Sequence, residues 1–153
     1  MDKIDLKILK CLQNNAKSSA QQISEQVGLS VAPVWRRIKN LEQQKIITGY
    51  HAAVDRNQVG LQSCMFAQIS LDRHSANRVE NFIQAVMDAP EIVACYAVTG
   101  DADFLLKIVV PGPEQYDQFL HRFFFNLPAV RQTRTIVVLK EIKNQPQLPI
   151  KSL

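Results

Sequence analysis

Polar and apolar positions along this chain repeat at two different periods, and the change falls near residue 60. Before it the spacing is helical. Ile4, Ile8, Leu9 and Leu12 form an apolar stripe that predicts a helix with one buried side. Ser19 with Gln22 makes a capping box, in which hydroxyl and amide satisfy each other's free backbone donors. Ile23 and Val27 then supply an i, i+4 pair, and Gly28 stops the helix, because glycine takes a left-handed C-terminal conformation without strain. Ser30 is placed to cap a further helix whose inner side is Val34, Ile38, Leu41 and the stem of Lys45. Pro33 falls in its first turn, where a missing N–H costs no internal hydrogen bond. Three helices, the last two joined by a tight turn, predict a (winged) helix-turn-helix head over residues 1–48.

Beyond the head the pattern shortens and alternates. Residues 49–60 read as a strand linker, extended over 49–55 and closing in a turn at Gly60. Strands are predicted at 64–71, 92–98, 104–110 and 133–142, and helices at 75–90 and 113–128. The first of these helices carries Val79, Phe82, Ile83 and Val86 on one side; the second has Pro113 at its start. Gly100, Asp101, Ala102 and Asp103 supply the hairpin turn between the middle strands. The order β-α-β-β-α-β over 61–143 is that of a ferredoxin-like domain, so the fold class is α+β, and Pro146 and Pro149 predict an extended tail over 144–153. Apolar residues are adjacent in two strands, at Leu105, Leu106, Ile108 and Val109 and at Val137 and Val138. They must face both sides of a sheet whose helices cover one side only. A second copy of the chain is the economical cover; the head is the alternative.

Charge gives the head a candidate function. Residues 1–60 hold nine lysines and arginines against five acidic residues, whereas residues 61–153 hold nine of each. The whole excess of the chain therefore sits with the helix pair. A solvated helical hairpin would share the spacing, but a basic module beside a neutral one is the footprint of phosphate-backbone binding to double-stranded DNA. On the third helix, Ser30, Val31, Ala32 and Arg36 form a small-residue tip with a long donor, and Arg37 and Lys39 suit base edges or phosphates.

Composition adds exclusions. No apolar run approaches membrane-spanning length and the N-terminus is mixed in charge, which predicts a cytoplasmic protein. Cys11, Cys64 and Cys95 are odd in number, far apart and set in apolar sequence, as expected of reduced core cysteines. His51, His74 and His121 show no ligand spacing with them, so neither metal nor cofactor is expected.

Several stretches together, IDLKILKCLQNNAK (4–17), VGLSVAPVWRRIKNLEQQKIITGY (27–50), VTGDADFLLKIVVP (98–111) and LPAVRQTRTIVVLKEIK (127–143), resemble the Lrp/AsnC (feast/famine) family of transcriptional regulators over essentially the whole chain. The resemblance implies DNA-binding dimers that assemble further, often to octamers, and a small amino-acid effector bound where the tails of neighbouring dimers meet. It places the effector loop on Thr99, Gly100, Asp101, Ala102 and Asp103, facing Thr133, Thr135 and Val137. A carboxylate there can take the ammonium of a zwitterion, and backbone N–H groups or threonine hydroxyls its carboxylate. No side chain suits a charged or amide group, which favours leucine or methionine. Without the resemblance, the same residues are simply a good turn and good strand formers. Two further readings are an enzyme using Asp101 and Asp103 as acid and base, which lacks a nearby nucleophile, and a nucleoid-type architectural DNA-binding protein without an effector.

Overall fold

The computed structural model describes residues 1–72, 76–124 and 127–150. His74, Ser75, Phe125, Asn126 and the end of the tail, which enter the expectations above, lie outside the described residues. The chain forms two compact units, residues 1–53 together with the segment from Lys143, and residues 54–142.

The first unit holds three helices, α1 (Lys3–Asn14), α2 (Ala20–Val27) and α3 (Val31–Gln43). Each starts for a local reason. Asp2 and Asp5 form a reciprocal capping box on α1, and Ser19 and Gln22 form the expected one on α2. Gly28, at φ 72°, ends α2 in the left-handed conformation. Only Gly28, Leu29 and Ser30 separate α2 from α3, which makes the turn of a helix-turn-helix. Ile8, Ile23 and Val34 are completely buried and meet Leu9, Leu12, Val27 and Leu41 in one core, each contributing about 1.5–3 kcal/mol. Ile150 from the C-terminal segment packs on the same core, and the Gln13 side chain brackets Leu148, accepting its N–H at 2.6 Å and donating to its carbonyl at 3.3 Å.

Two local expectations change here. Ser30 occupies the N-cap position of α3, but its hydroxyl makes no capping bond. The usual donor, the N–H three residues on, is missing because that residue is Pro33. Lys45 lies beyond the helix rather than on its inner side. It sits at φ 54°, with its N–H on Glu42 O (3.0 Å) and the Ile46 N–H on Leu41 O (2.9 Å). That is a Schellman termination with lysine where glycine is usual.

The second unit is built from β1 (Ser63–Leu71), α4 (Ala76–Asp88), β2 (Ile92–Ala97), β3 (Phe104–Val110), α5 (Pro113–Phe123) and β4 (Val130–Val137). All pairings are antiparallel and the order is β2-β3-β1-β4, the ferredoxin-like arrangement expected. Met65, Ala67, Ile69 and Leu71 alternate onto the buried face, opposite Ile108 and Leu106 of β3. Phe82 of α4 and Phe119 of α5 close that core, with Phe123 and Phe124 at 5.1 and 5.8 Å from the Phe119 ring.

β4 begins three residues earlier and ends five earlier than its apolar pattern predicts. Its ladder runs from Leu71↔Val130 to Met65↔Val137, with one further bond from the Val138 N–H to Cys64 O at 3.0 Å, so only the first residue of the apolar run that follows still meets β1. α5 also ends short of the expected bound, at Phe123, and Pro128 biases Leu127 away from helix. The Leu127 N–H donates to Phe124 O, and a tight turn closed by the Val130 N–H on Leu127 O then leads into β4. On α4, Phe82 and Val86 are buried as expected, but Ile83 is exposed. Cys64 is buried; Cys95, also expected in the core, is exposed because β2 is an edge strand. The opposite sheet face carries Phe66, Leu105, Tyr96 and Ile136, the last two 57% and 45% exposed, so apolar side chains do point both ways.

Candidate functional site

Two regions gather the expected site residues, one in each unit. In the first, burial of Val34 and Leu41 turns the other side of α3 outward. Ser30, Val31 and Ala32 are exposed at its N-terminus, followed by Trp35, Arg36, Lys39 and Asn40. Arg36 has no hydrogen-bond or ion-pair partner among the described residues. Trp35, Arg36, Arg37, Lys39 and Asn40 border a shallow depression of about 610 Å³.

The other two cations are engaged. Lys39 Nζ lies 2.7 Å from Glu42 on the same helix, and the other Glu42 oxygen accepts the Tyr50 hydroxyl at 2.9 Å. Lys39 and then Tyr50 hold the Glu42 carboxyl below its usual range. Partial burial, and then Glu42, push the Tyr50 hydroxyl up to about 12. Arg37 instead points to α1, with Nη1 at 2.7 Å from both Asp2 Oδ2 and Asp5 Oδ1. Hydrogen bonds to Asp5 and Asp2 raise the Arg37 guanidinium above its ordinary value. The Asp2 carboxyl is lowered by the Asp5 backbone N–H first and by Arg37 second. The Asp2–Asp5 spacing was visible in the sequence, but nothing there said that Arg37 would meet both.

The second region is the β2–β3 hairpin. Gly100 adopts φ 113°, a conformation that favours glycine, and the Val98 N–H to Asp103 O bond (3.0 Å) closes the hairpin. The hairpin is fastened to β1 in three places. Asp103 N–H donates to Ile69 O at 2.9 Å, Leu71 N–H to Asp103 Oδ2 at 2.8 Å, and Ser70 Oγ to Asp101 O at 3.2 Å. The Asp101 carboxylate makes no hydrogen bond or ion pair among the described residues. Ser70, Asp72, Gly100, Asp101, Ala102 and Arg131 border a depression of about 440 Å³, with Thr99 exposed just ahead of it. Arg131 and Ser70 escaped the sequence reading, since only the register of β1 against β4 brings them to the hairpin.

Thr133, Thr135 and Val137 lie elsewhere. Their partners Ile69, Ala67 and Met65 face the helices, so these three share the helix side of β4, outside that depression. Thr135 Oγ1 shares a 2.6 Å hydrogen bond with the Tyr116 hydroxyl of α5. Burial raises Tyr116, and the Thr135 bond opposes that shift.

A basic-faced helix-turn-helix ahead of a ferredoxin-like domain with this hairpin has close counterparts. Residues 64–148 match the model of the Lrp/AsnC ligand binding domain, and residues 1–48 that of a winged helix-turn-helix DNA-binding domain. The chain belongs to the Lrp/AsnC family of transcriptional regulators. It is 38% identical over 152 residues to the leucine-responsive regulatory protein of Klebsiella pneumoniae, spanning 99% of this chain and 93% of that one. It is 31% identical over 150 residues to the Bkd operon transcriptional regulator of Pseudomonas aeruginosa, spanning 98% of each. Among solved structures, a Neisseria meningitidis transcriptional regulator in complex with L-methionine superposes with a TM-score of 0.93 at 34% identity, covering 97% of this chain and 96% of that one. An AsnC family regulator from Agrobacterium tumefaciens gives 0.92 at 33%, covering 97% of each. The family resemblance and the α+β architecture read from the sequence therefore hold.

Proposed function

We propose that this member of the family binds operator DNA through the outward face of α3 and responds to a small aliphatic amino acid, leucine or methionine, held at the β2–β3 hairpin. On α3, Ser30, Val31 and Ala32 let the backbone approach the groove, Arg36 reads base edges, and the exposed Lys39 exchanges Glu42 for a phosphate. Glu42 keeps the Tyr50 hydroxyl as a partner, which limits what the exchange costs.

The observation that carries the effector reading is the division of labour between two carboxylates. Asp103 is bonded to the Leu71 N–H, whereas Asp101 stands without a partner among the described residues, across a depression that Arg131 also borders. Asp101 takes the effector's ammonium and Arg131 its carboxylate, a charge-assisted pairing at both ends of the zwitterion. Thr133, Thr135 and Val137 contribute from a neighbouring subunit's copy, so that the pocket is completed by assembly into dimers and then octamers. The Neisseria neighbour solved with L-methionine supports the effector class. The three free thiols suit the cytoplasm, and the role is regulatory rather than enzymatic.

The test is a thermal-shift screen across the twenty amino acids, followed by titration of a DNA duplex selected by the protein from a random pool, at fixed salt. Leucine or methionine should raise the melting temperature and change DNA affinity or oligomer size, a coupling between two sites. No response to any amino acid, or equal affinity for selected and random DNA, would refute the respective half of the proposal.

A further inference from the structure

We infer that Arg37 is not a DNA contact but the positioning residue that sets the rotation of α3, and hence where Arg36 points. The inference rests on α3 being the groove helix.

The geometry starts at the first turn of α1. Asp2 Oδ1 accepts the Ile4 and Asp5 N–H groups, each at 2.9 Å, and Asp5 Oδ2 accepts the Asp2 N–H at 2.8 Å. Those bonds use one oxygen of each carboxylate. The two oxygens that remain, Asp2 Oδ2 and Asp5 Oδ1, both accept from Arg37 Nη1 at 2.7 Å. All four carboxylate oxygens are thereby engaged, and one guanidinium nitrogen joins the start of α1 to the middle of α3. The Asp5 side chain is only 14% exposed.

Releasing Arg37 to reach a phosphate would leave two carboxylates side by side, one of them largely shielded from water, without their countercharge. Lys39 faces a smaller cost, because its partner Glu42 is a half-buried neighbour on its own helix that keeps the Tyr50 hydroxyl as a second partner. The apolar contacts of Val34 and Leu41 hold α3 against the core, but apolar packing has little directional preference. Charge-assisted hydrogen bonds at 2.7 Å are directional. Successive residues stand about 100° apart around a helix, so fixing Arg37 toward α1 fixes the direction of Arg36 toward the groove.

Arg36→Ala, Arg37→Ala and Asp5→Asn in the full chain separate the roles. The probes are a duplex selected by the wild-type protein from a random pool and poly(dI-dC), each titrated across a salt series. Arg37→Ala should keep the wild-type salt slope on poly(dI-dC), because no phosphate contact is lost, while the ratio of selected to non-selected affinity falls about tenfold, the size of one base readout. Asp5→Asn nearly preserves side-chain size and removes one negative charge. It should bind poly(dI-dC) more tightly and the selected duplex with a reduced ratio. A purely stabilising role would lower the active fraction on both probes alike and leave the ratio unmoved. An Arg37→Ala salt slope smaller by about one, as for a lost phosphate contact, would overturn the inference, as would a wild-type ratio in Asp5→Asn. If Arg37→Ala does not fold, Asp5→Asn decides alone. Wild-type behaviour of Arg36→Ala on both probes would instead refute α3 as the groove helix.

Discussion

The carboxylate of Asp103 accepts the backbone N–H of Leu71 at 2.8 Å, fastening the β2–β3 hairpin to the end of β1. Leu71 is buried, so an alanine at 103 would leave that N–H without its acceptor and out of reach of water. Asp103→Ala should cost about 1–3 kcal/mol of stability in urea titration. Asp101→Ala should melt like wild type yet lose the thermal shift with leucine and methionine. A variant at 101 that still responds in full would show that the ammonium is bound elsewhere.

The uncovered sheet face gives a second prediction. Tyr96 and Ile136 stand exposed on the side of the sheet opposite the helices, beside Phe66 and Leu105. Sedimentation at micromolar protein should find an even-numbered oligomer. Ile136→Asp should shift it to monomer, since association would bury an unpaired charge. An unchanged sedimentation coefficient would exclude this face as the interface.

How much of this was legible in the sequence depends on what fixed each feature. Helix starts and strand cores were, because they depend on neighbours: the Ser19–Gln22 box, the Gly28 stop and the run Phe104–Val110 stand where the pattern puts them. Features set by a distant partner were not. The span of β4 depends on its pairing with β1, and so does the approach of Arg131 to the hairpin. Ser30 shows a third kind of miss, a rule cancelled by a second residue, since Pro33 removes the donor its hydroxyl would cap. On α3 the sequence identified three cations, but not that α1 engages Arg37 and leaves Arg36 outward.

Lys45 provides a third prediction. It holds φ 54° at the C-terminus of α3, where a side chain crowds the following carbonyl and glycine does not. Glycine also gains freedom in the unfolded chain, which offsets part of the benefit. Lys45→Gly should therefore raise stability by about 0.5–1 kcal/mol, while Gly28→Ala, at φ 72°, should lower it by about 1 kcal/mol. The added methyl at Gly28 meets no atom within 4 Å, so that cost is conformational alone. Denaturant titration of both variants checks the pair, and a destabilised Lys45→Gly would mean that its side chain contributes more than its backbone costs.

The final prediction concerns the C-terminal segment, which completes the first unit. The Gln13 side-chain amide makes both bonds of its bracket to Leu148, and the Gln147 amide donates to Gln13 O at 3.3 Å. Ile150 adds apolar contact to the core formed by Ile8, Ile23 and Val34. The chain thus leaves this unit near residue 53 and returns to it at Lys143. Exposed hydrogen bonds contribute about 0.5–1.5 kcal/mol each, and the partial burial of one isoleucine a similar amount. Removing the residues from Lys143 onward should therefore weaken the three-helix core by a few kcal/mol at most, about the sum of those contributions. Hydrogen exchange is the direct measurement: amides of α1 and α3 should exchange faster in the truncated chain, while those of β1 and β3 keep their protection. Gln13→Ala should produce a smaller change with the same distribution. Equal protection in α1 with and without the segment would show that it lies on the head without stabilising it.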